Sequence, residues 1–223
     1  MGYIHAVEEL LELADVVQVM AESPDVWQIA AKRIKQGGLV VFPTDTVYGI
    51  GCAADDAVAI ERVYDAKSRP LQKALPLLLS DSSMVLNVAR DLSRSALVLS
   101  QRFWPGALTL VVRRHRDLPE QLGSGDTIAV RVPAHDGLRE FIALCGGAIA
   151  GTSANRSGDP DAIEVSQAVA YFGLHVALYV DGGRTAGSVP STVVDCAVDP
   201  PRIVREGRIS AAAIAEAVRA LGN

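Results

Sequence analysis

Most of what would classify this sequence at a glance is missing from it. Its three cysteines, Cys52, Cys145 and Cys196, are far apart and odd in number. They form neither a CxxC pair nor a disulfide framework, which fits a reducing cytoplasm. Aromatic residues make up 5% of the chain, so aliphatic side chains must fill the core. No apolar run approaches ~20 residues, so no membrane span or membrane partner is expected. The first twenty residues are acidic and amphipathic without a basic leader, which excludes a secretory signal. Positive charge is not in excess: the net charge is -5. That argues against bulk attraction to nucleic acid, while a local basic patch could still hold an anion. There is no G-x-x-x-x-G-K-[ST], and Gly49-x-Gly51 lacks the third glycine of a dinucleotide fingerprint. No His/Cys/carboxylate cluster has metal-ligand spacing, so no metal ligands are assigned. No repeat, low-complexity tract or inter-domain linker is visible.

What remains is a 223-residue chain, 49% hydrophobic, long enough for one substantial core. It is organised around Leu39 to Gly51, LVVFPTDTVYGIG. Leu39 to Phe42 reads as a buried strand, and Pro43 stops it because proline has no N–H to donate. Thr44, Asp45 and Thr46 then sit past a strand end, where open α/β sheets bind ligands. Gly49 and Gly51 read as points where the backbone turns or approaches a ligand closely.

The periodicity predicts a helix from His5 to Met20, taken as an N-terminal helical extension over residues 1–22, ahead of a single domain over 23–223. Ser23 and Pro24 form an N-cap and first position for a helix to about Gln36. Further helices are predicted from Asp55 or Asp56, near Met84–Val88, and over Leu92–Phe103, Asp136–Leu144, Val165–Phe172 and Ser210–Leu221. Strands are predicted at Leu75–Leu79, Ala107–Val112, Thr127–Val132, Ala148–Ala150, Val176–Val180, Thr192–Cys196 and Arg202–Arg205. The pattern is a mixed, twisted sheet flanked by helices.

Four groups of residues could carry chemistry. Arg62, Lys67, Arg69 and Lys73 form a basic cluster suited to polyphosphate, arginine acting as a fork and lysine as a point charge. The plain reading is a solvated helix face. The loop Thr152-Ser153-Ala154-Asn155-Arg156-Ser157-Gly158 suits a phosphate or ribose contact. Ser153 as a nucleophile is weaker, because G-x-S-x-G is absent and no histidine has a relay partner. Ser188 to Thr192 enters a strand, and Arg205-Glu206-Gly207 leaves one. Arg131 interrupts an apolar strand, AVRVP. A charge there is expensive unless paired, so a carboxylate is its natural partner, whether from a side chain or a ligand.

Together, PTDTVYGIG, KSRP-LQK, FWPGALTLVV, AVRVPAH, TSANRSG, PSTVVD and IVREGRI, in this order, resemble the YrdC-type threonylcarbamoyl-AMP synthases. The resemblance implies an open α/β sheet with a large concave basic cavity. It implies an enzyme joining L-threonine, bicarbonate or carbon dioxide, and ATP into threonylcarbamoyl-adenylate, with release of pyrophosphate. A separate transferase complex then modifies the tRNA adenosine beside the anticodon, and direct binding of RNA or tRNA is left open. By motif matching, Thr46, Arg131 and Ser191 are assigned to L-threonine. Arg69, Lys73, Thr127, Ser153, Asn155 and Arg205 are assigned to ATP, with Lys67 and Arg69 in the catalytic role. Mg²⁺ is expected to arrive with ATP, and no organic cofactor is implied. The chain departs from the family pattern at Lys73-Ala74-Leu75, at Thr152 and around Asp159-Pro160-Asp161. The longer relatives carry a linker and a second domain that are not present here, so the single-domain form is expected.

Two alternatives stand beside this reading. One is a carbamoyl-adenylate-forming domain of the hydrogenase-maturation type, whose CxxC zinc motifs are absent here. The other is an RNA-binding module of the same fold, which the acidic charge and scarce aromatics disfavour.

Overall fold

Eleven short strands, counted among the described residues, assemble into one sheet in the computed structural model, which describes residues 17–123, 125–187 and 189–220. In chain order the strands are β1 (Val19–Ala21), β2 (Val40–Phe42), β3 (Gly49–Ala53), β4 (Leu77–Leu79), β5 (Ala89–Asp91), β6 (Leu108–Arg114), β7 (Thr127–Arg131), β8 (Ala148–Ser153), β9 (Leu178–Asp181), β10 (Thr192–Asp195) and β11 (Arg202–Arg205). The helices are α1 (Pro24–Lys35), α2 (Ala57–Lys67), α3 (Val85–Val88), α4 (Arg94–Phe103), α5 (Asp136–Leu144), α6 (Val165–Phe172) and α7 (Ala211–Arg219). The sheet runs β1-β9-β2-β3-β8-β4-β7-β6-β10-β11, with β5 added beside β6. Parallel and antiparallel pairs mix: β2 is parallel to β9 and antiparallel to β3, and β7 is parallel to β4 and antiparallel to β6.

Local chemistry sets the helix starts. Ser23 accepts the Val26 N–H, Asp56 the Ala59 N–H, Ser93 the Ala96 N–H and Ser210 the Ala213 N–H. Each satisfies a donor that the first turn leaves unpaired. Gly37, at φ +79°, follows the end of α1, a conformation glycine adopts without strain.

Side-chain alternation explains the layers. On β7, Ile128 and Val130 point into one core, and so do Leu77 and Leu79 of β4, Leu108, Leu110 and Val112 of β6, and Ala150 of β8. That face is covered by α2, α4, α6 and α7. On the opposite face a second core joins Val40, Phe42, Ile149, Leu178 and Val180 to α1 and α5. These two helices cover only part of their face. The part formed by β7, β6, β10 and β11 carries Ala129, Arg131, Thr109, Val193 and Val204, and there the sheet opens into a cavity.

Three expectations need correcting. The helix over His5–Met20 falls largely on residues outside those described. At its far end Val19–Ala21 is a strand, paired in parallel with β9, so residues taken into an N-terminal extension belong to the sheet edge. The GIG of the organising stretch is not a turn but β3. A Cβ at Gly49 would lie 2.6 Å from the Phe42 ring, and one at Gly51 would lie 2.6 Å from the Ala150 carbonyl oxygen. Those glycines allow tight packing within the sheet. Likewise Gly151, Thr152 and Ser153, read as loop, are strand residues paired with Gly51, Ile50 and Gly49.

Candidate active site

The cavity on the open face has a volume of about 480 Å³. Several segments bring side chains to it. The turn after β2 supplies Thr44 and Thr46, the segment after α2 supplies Arg69, and β7 supplies Arg131. The end of β8 supplies Thr152 and Ser153. The β10–β11 pair supplies Val193, Val204 and Arg205, and Ser191 comes from the residue just before β10. The floor is thus the sheet face itself, crossing several strands, rather than their carboxyl ends alone.

Arg131 is 7% exposed. Its partner is a protein carboxylate: one terminal nitrogen donates to Asp45 Oδ1 at 2.6 Å. Its Nε donates to the Gly106 carbonyl at 2.9 Å, and its other terminal nitrogen to Thr46 Oγ1 at 3.2 Å. This settles the open question of Arg131's partner in favour of a side chain. Three of its five N–H groups are committed, and two remain. Burial pushes the guanidinium below its ordinary pKa; Asp45 raises it, while Arg208 and Arg205 lower it. One carboxylate therefore faces several cations, an arrangement that favours an incoming anion.

The turn that carries Thr46 is internally fixed. Thr44 donates to the Val47 carbonyl at 2.7 Å and accepts the Thr46 N–H at 3.0 Å. With its proton spent there, the 3.0 Å contact between the two hydroxyls must run from Thr46 to Thr44. Arg208 braces the same turn, donating to the Asp45 carbonyl at 2.7 Å. Opposite, Ser191 Oγ lies 2.8 Å from Thr109 Oγ1, and Arg205 donates to the Ser191 carbonyl at 2.8 Å.

The basic cluster read from sequence divides. Arg62 is exposed on α2. Arg69 lines the cavity and also ties the following loop, its Nε donating to the Lys73 carbonyl and a terminal nitrogen to the Ala74 carbonyl, both at 2.9 Å. Burial lowers its pKa from the ordinary value. Lys73 is exposed on that loop and is not among the lining residues. Lys67 does not line the cavity either: it is 1% exposed and lies beneath the Ser153–Asn155 turn. Asn155 is also turned inward, its amide nitrogen donating to the Asp159 carbonyl at 2.5 Å. Thr127 shares the face of Ala129 and Arg131 but sits exposed at the start of β7, away from the lining. Thr46, Arg69, Arg131, Ser153, Ser191 and Arg205 are therefore brought together. Lys67, Lys73, Thr127 and Asn155 stand behind or beside them.

Sequence reasoning passed over Thr109, Asp161 and Val204, all of which line the cavity. Thr109 had a usable signal: it is the polar residue at an alternate position of LTLVV, between inward Leu108 and Leu110. Ser188, part of the Ser188–Thr192 group, lies outside the described residues.

A family model described as Telomere recombination, Sua5_yciO_yrdC, matches residues 32–207. The chain is 39% identical over 181 residues to a threonylcarbamoyl-AMP synthase of Pyrococcus abyssi, covering 81% of this chain and 53% of that protein. It is 36% identical over 195 residues to a threonylcarbamoyl-AMP synthase of Bacillus subtilis, covering 86% of this chain and 56% of that protein. It thus spans about half the length of both relatives. The crystal structure of P. abyssi Sua5 complexed with L-threonine superposes with a TM-score of 0.86 at 35% identity, over 91% of this chain and 61% of that one. The chain belongs to the Sua5/YciO/YrdC family.

Proposed function

We propose that this chain is a nucleotidyltransferase that makes threonylcarbamoyl-AMP from L-threonine, bicarbonate or carbon dioxide, and ATP, with release of pyrophosphate. The observation that carries the reading is the convergence of Arg69, Arg131 and Arg205 on one cavity, with Thr46, Ser153 and Ser191 between them. Thr46, Arg131 and Ser191 form the threonine side. Arg69, Ser153 and Arg205 form the nucleotide side, with Lys73 and Thr127 at its margin. The attacking group belongs to a substrate, since threonine's amine captures carbon dioxide and the resulting carbamate oxygen attacks the α-phosphorus. No protein nucleophile is required. The cavity's work is to align the reactants and neutralise charge, and well-oriented reactants gain on the order of 7 kcal/mol or more.

Mg²⁺ in this reading arrives on the ATP phosphates. Asp161 is the carboxylate among the lining residues, and a cation held mainly by substrate phosphates needs only one or two such groups. The product would pass to a threonylcarbamoyl transferase acting on tRNA. A cytoplasmic setting fits the three free thiols of Cys52, Cys145 and Cys196.

The test is to incubate the protein with ATP, Mg²⁺, L-threonine and bicarbonate, and to follow pyrophosphate and threonylcarbamoyl-AMP by mass spectrometry. Both should appear only when threonine and bicarbonate are present together. Pyrophosphate release independent of threonine, or release driven instead by carbamoyl phosphate, would overturn the reading.

A further inference from the structure

The most enclosed cation near the cavity does not face it. Lys67 ends α2, and Ile60, Val63 and Tyr64 on the same helical face are core residues. Its ammonium donates to three oxygens: the Ser153 carbonyl, the Asn155 carbonyl and Asn155 Oδ1. Three acceptors around one nitrogen match the three N–H groups of an ammonium, and a neutral amine has only two. No donor is left for a phosphate. The charged groups that act on Lys67 are Arg69, which disfavours its charge, and Asp161, which favours it. The backbone adds a further tie, because Ser157 N–H donates to the Lys67 carbonyl at 2.9 Å.

These contacts also dictate how Ser153 presents itself. Asn155 Oδ1 faces Lys67 and its Nδ2 faces the Asp159 carbonyl, so the amide cannot be flipped. Ser153 lies 2.6 Å from Oδ1, an atom that can only accept, so the serine hydroxyl must donate to it. Toward the cavity Ser153 then offers lone pairs and no proton.

We propose that Lys67 is a positioning residue that touches no substrate: its ammonium holds the Ser153–Asn155 turn and, through Asn155, fixes the Ser153 hydroxyl as a hydrogen-bond acceptor in the nucleotide half of the cavity. This rests on the ATP reading above. It separates Lys67 from Arg69, its neighbour in the motif, which does line the cavity.

Two measurements test it. The first uses the wild-type protein, acetylated with an N-hydroxysuccinimide ester with and without ATP and mapped by peptide mass spectrometry. Lys73 should be modified, and Lys67 should stay unmodified in both arms. Any modification of Lys67 in the native protein overturns the proposal. The second is a double-mutant cycle on ATP binding with Lys67→Met and Ser153→Ala. Lys67→Met should weaken ATP by about tenfold, the scale of coupling inside one hydrogen-bond network, and leave threonine affinity unchanged. In the Ser153→Ala background the same substitution should cost little more. Losses that multiply would make Lys67 an independent ligand and overturn the proposal. Should Lys67→Met fail to fold, the labelling decides. Absence of ATP binding by the wild-type protein would sink the proposed function instead, and the unlabelled lysine would still report on Lys67.

Discussion

Arg131, in the wall of the cavity, and Lys67, beneath the Ser153–Asn155 turn at its edge, are both buried cations, and the protein compensates them in opposite ways. Arg131 has a carboxylate, Asp45, and a fork with donors to spare. The hydrogen-bond acceptors of Lys67 are all neutral oxygens, and all three of its donors are spent. The first arrangement leaves a guanidinium able to meet an anion at the cavity wall. The second leaves a charge that shapes the backbone and has nothing to offer a ligand. The residue type does not decide between binding and bracing; the number of uncommitted N–H groups does.

The largest effect is expected at Asp45. Asp45→Ala would strand the Arg131 guanidinium in a site where it is 7% exposed. Removing one partner of a buried pair costs about 3–5 kcal/mol, so urea unfolding should show a loss of that size at unchanged m-value. Asp45→Asn should recover part of it, since the amide oxygen can still accept. A loss below about 1 kcal/mol would mean that other groups compensate Arg131. Next comes Arg69, which combines both roles by lining the cavity and tying the 70–74 loop. Arg69→Ala should weaken ATP binding by about 1.5–3 kcal/mol, with threonine binding little changed by calorimetry. Unchanged ATP affinity would reduce Arg69 to a loop tie.

The two cations should also differ with pH. Burial, with Arg69 adding to it, pushes Lys67 down to about 7 from an ordinary 10.5. Between these values the unfolded chain keeps a proton that the folded chain has lost. Stability from Lys67 is therefore fully present above 10.5 and lost as the pH falls to about 7, with a slope of at most about 1.4 kcal/mol per unit. The folded amine itself gives up the third donor that holds the Ser153–Asn155 turn around the low end of that window, as the pH rises through about 7. ATP affinity should fall as the pH rises through about 7 and then level off, while stability goes on increasing toward 10.5, and Lys67→Met should flatten both curves. Parallel changes in the wild type would contradict the bracing role. Arg131 contributes no such slope, because arginine keeps its proton in proteins.

Much of this was legible in the sequence, for reasons that can be named. Ser23, Asp56, Ser93 and Ser210 cap helices because their chemistry is local, and α5 and α6 fall on the residues their periodicity predicts. Arg131 stood out because a charge in an apolar strand needs a partner, and Asp45 was visible as a polar turn residue but not as that partner. Their pairing spans 86 positions and depends on strand order, which no local pattern encodes. The strand β3 was missed because its glycines imitate a turn, and their packing against Phe42 is a tertiary fact. Lys67 was misplaced although its spacing from Ile60, Val63 and Tyr64 puts it on the buried face of α2. A motif pulled it toward the cavity while the helical period pulled it toward the core, and the period was right.

The smallest effect tests whether the two halves of the cavity are separable at all. Thr109 and Ser191 are nearly buried and share a 2.8 Å hydrogen bond. Thr109→Val keeps the shape of the side chain and removes one neutral partner, which should cost about 1 kcal/mol of stability. Ser191 would keep Arg205, whose guanidinium lies 3.4 Å from its hydroxyl and 2.8 Å from its carbonyl, so the loop should hold its place while the hydroxyl turns more freely. If Ser191 serves the threonine side with Arg131, threonine affinity should fall about fivefold and ATP affinity should not move. Separate titrations with the two substrates read this directly. A loss confined to ATP would assign Ser191 to the same half as Arg205. Equal losses would show that Arg205, bonded to Ser191 by both its carbonyl and its hydroxyl, joins the halves into one cooperative site.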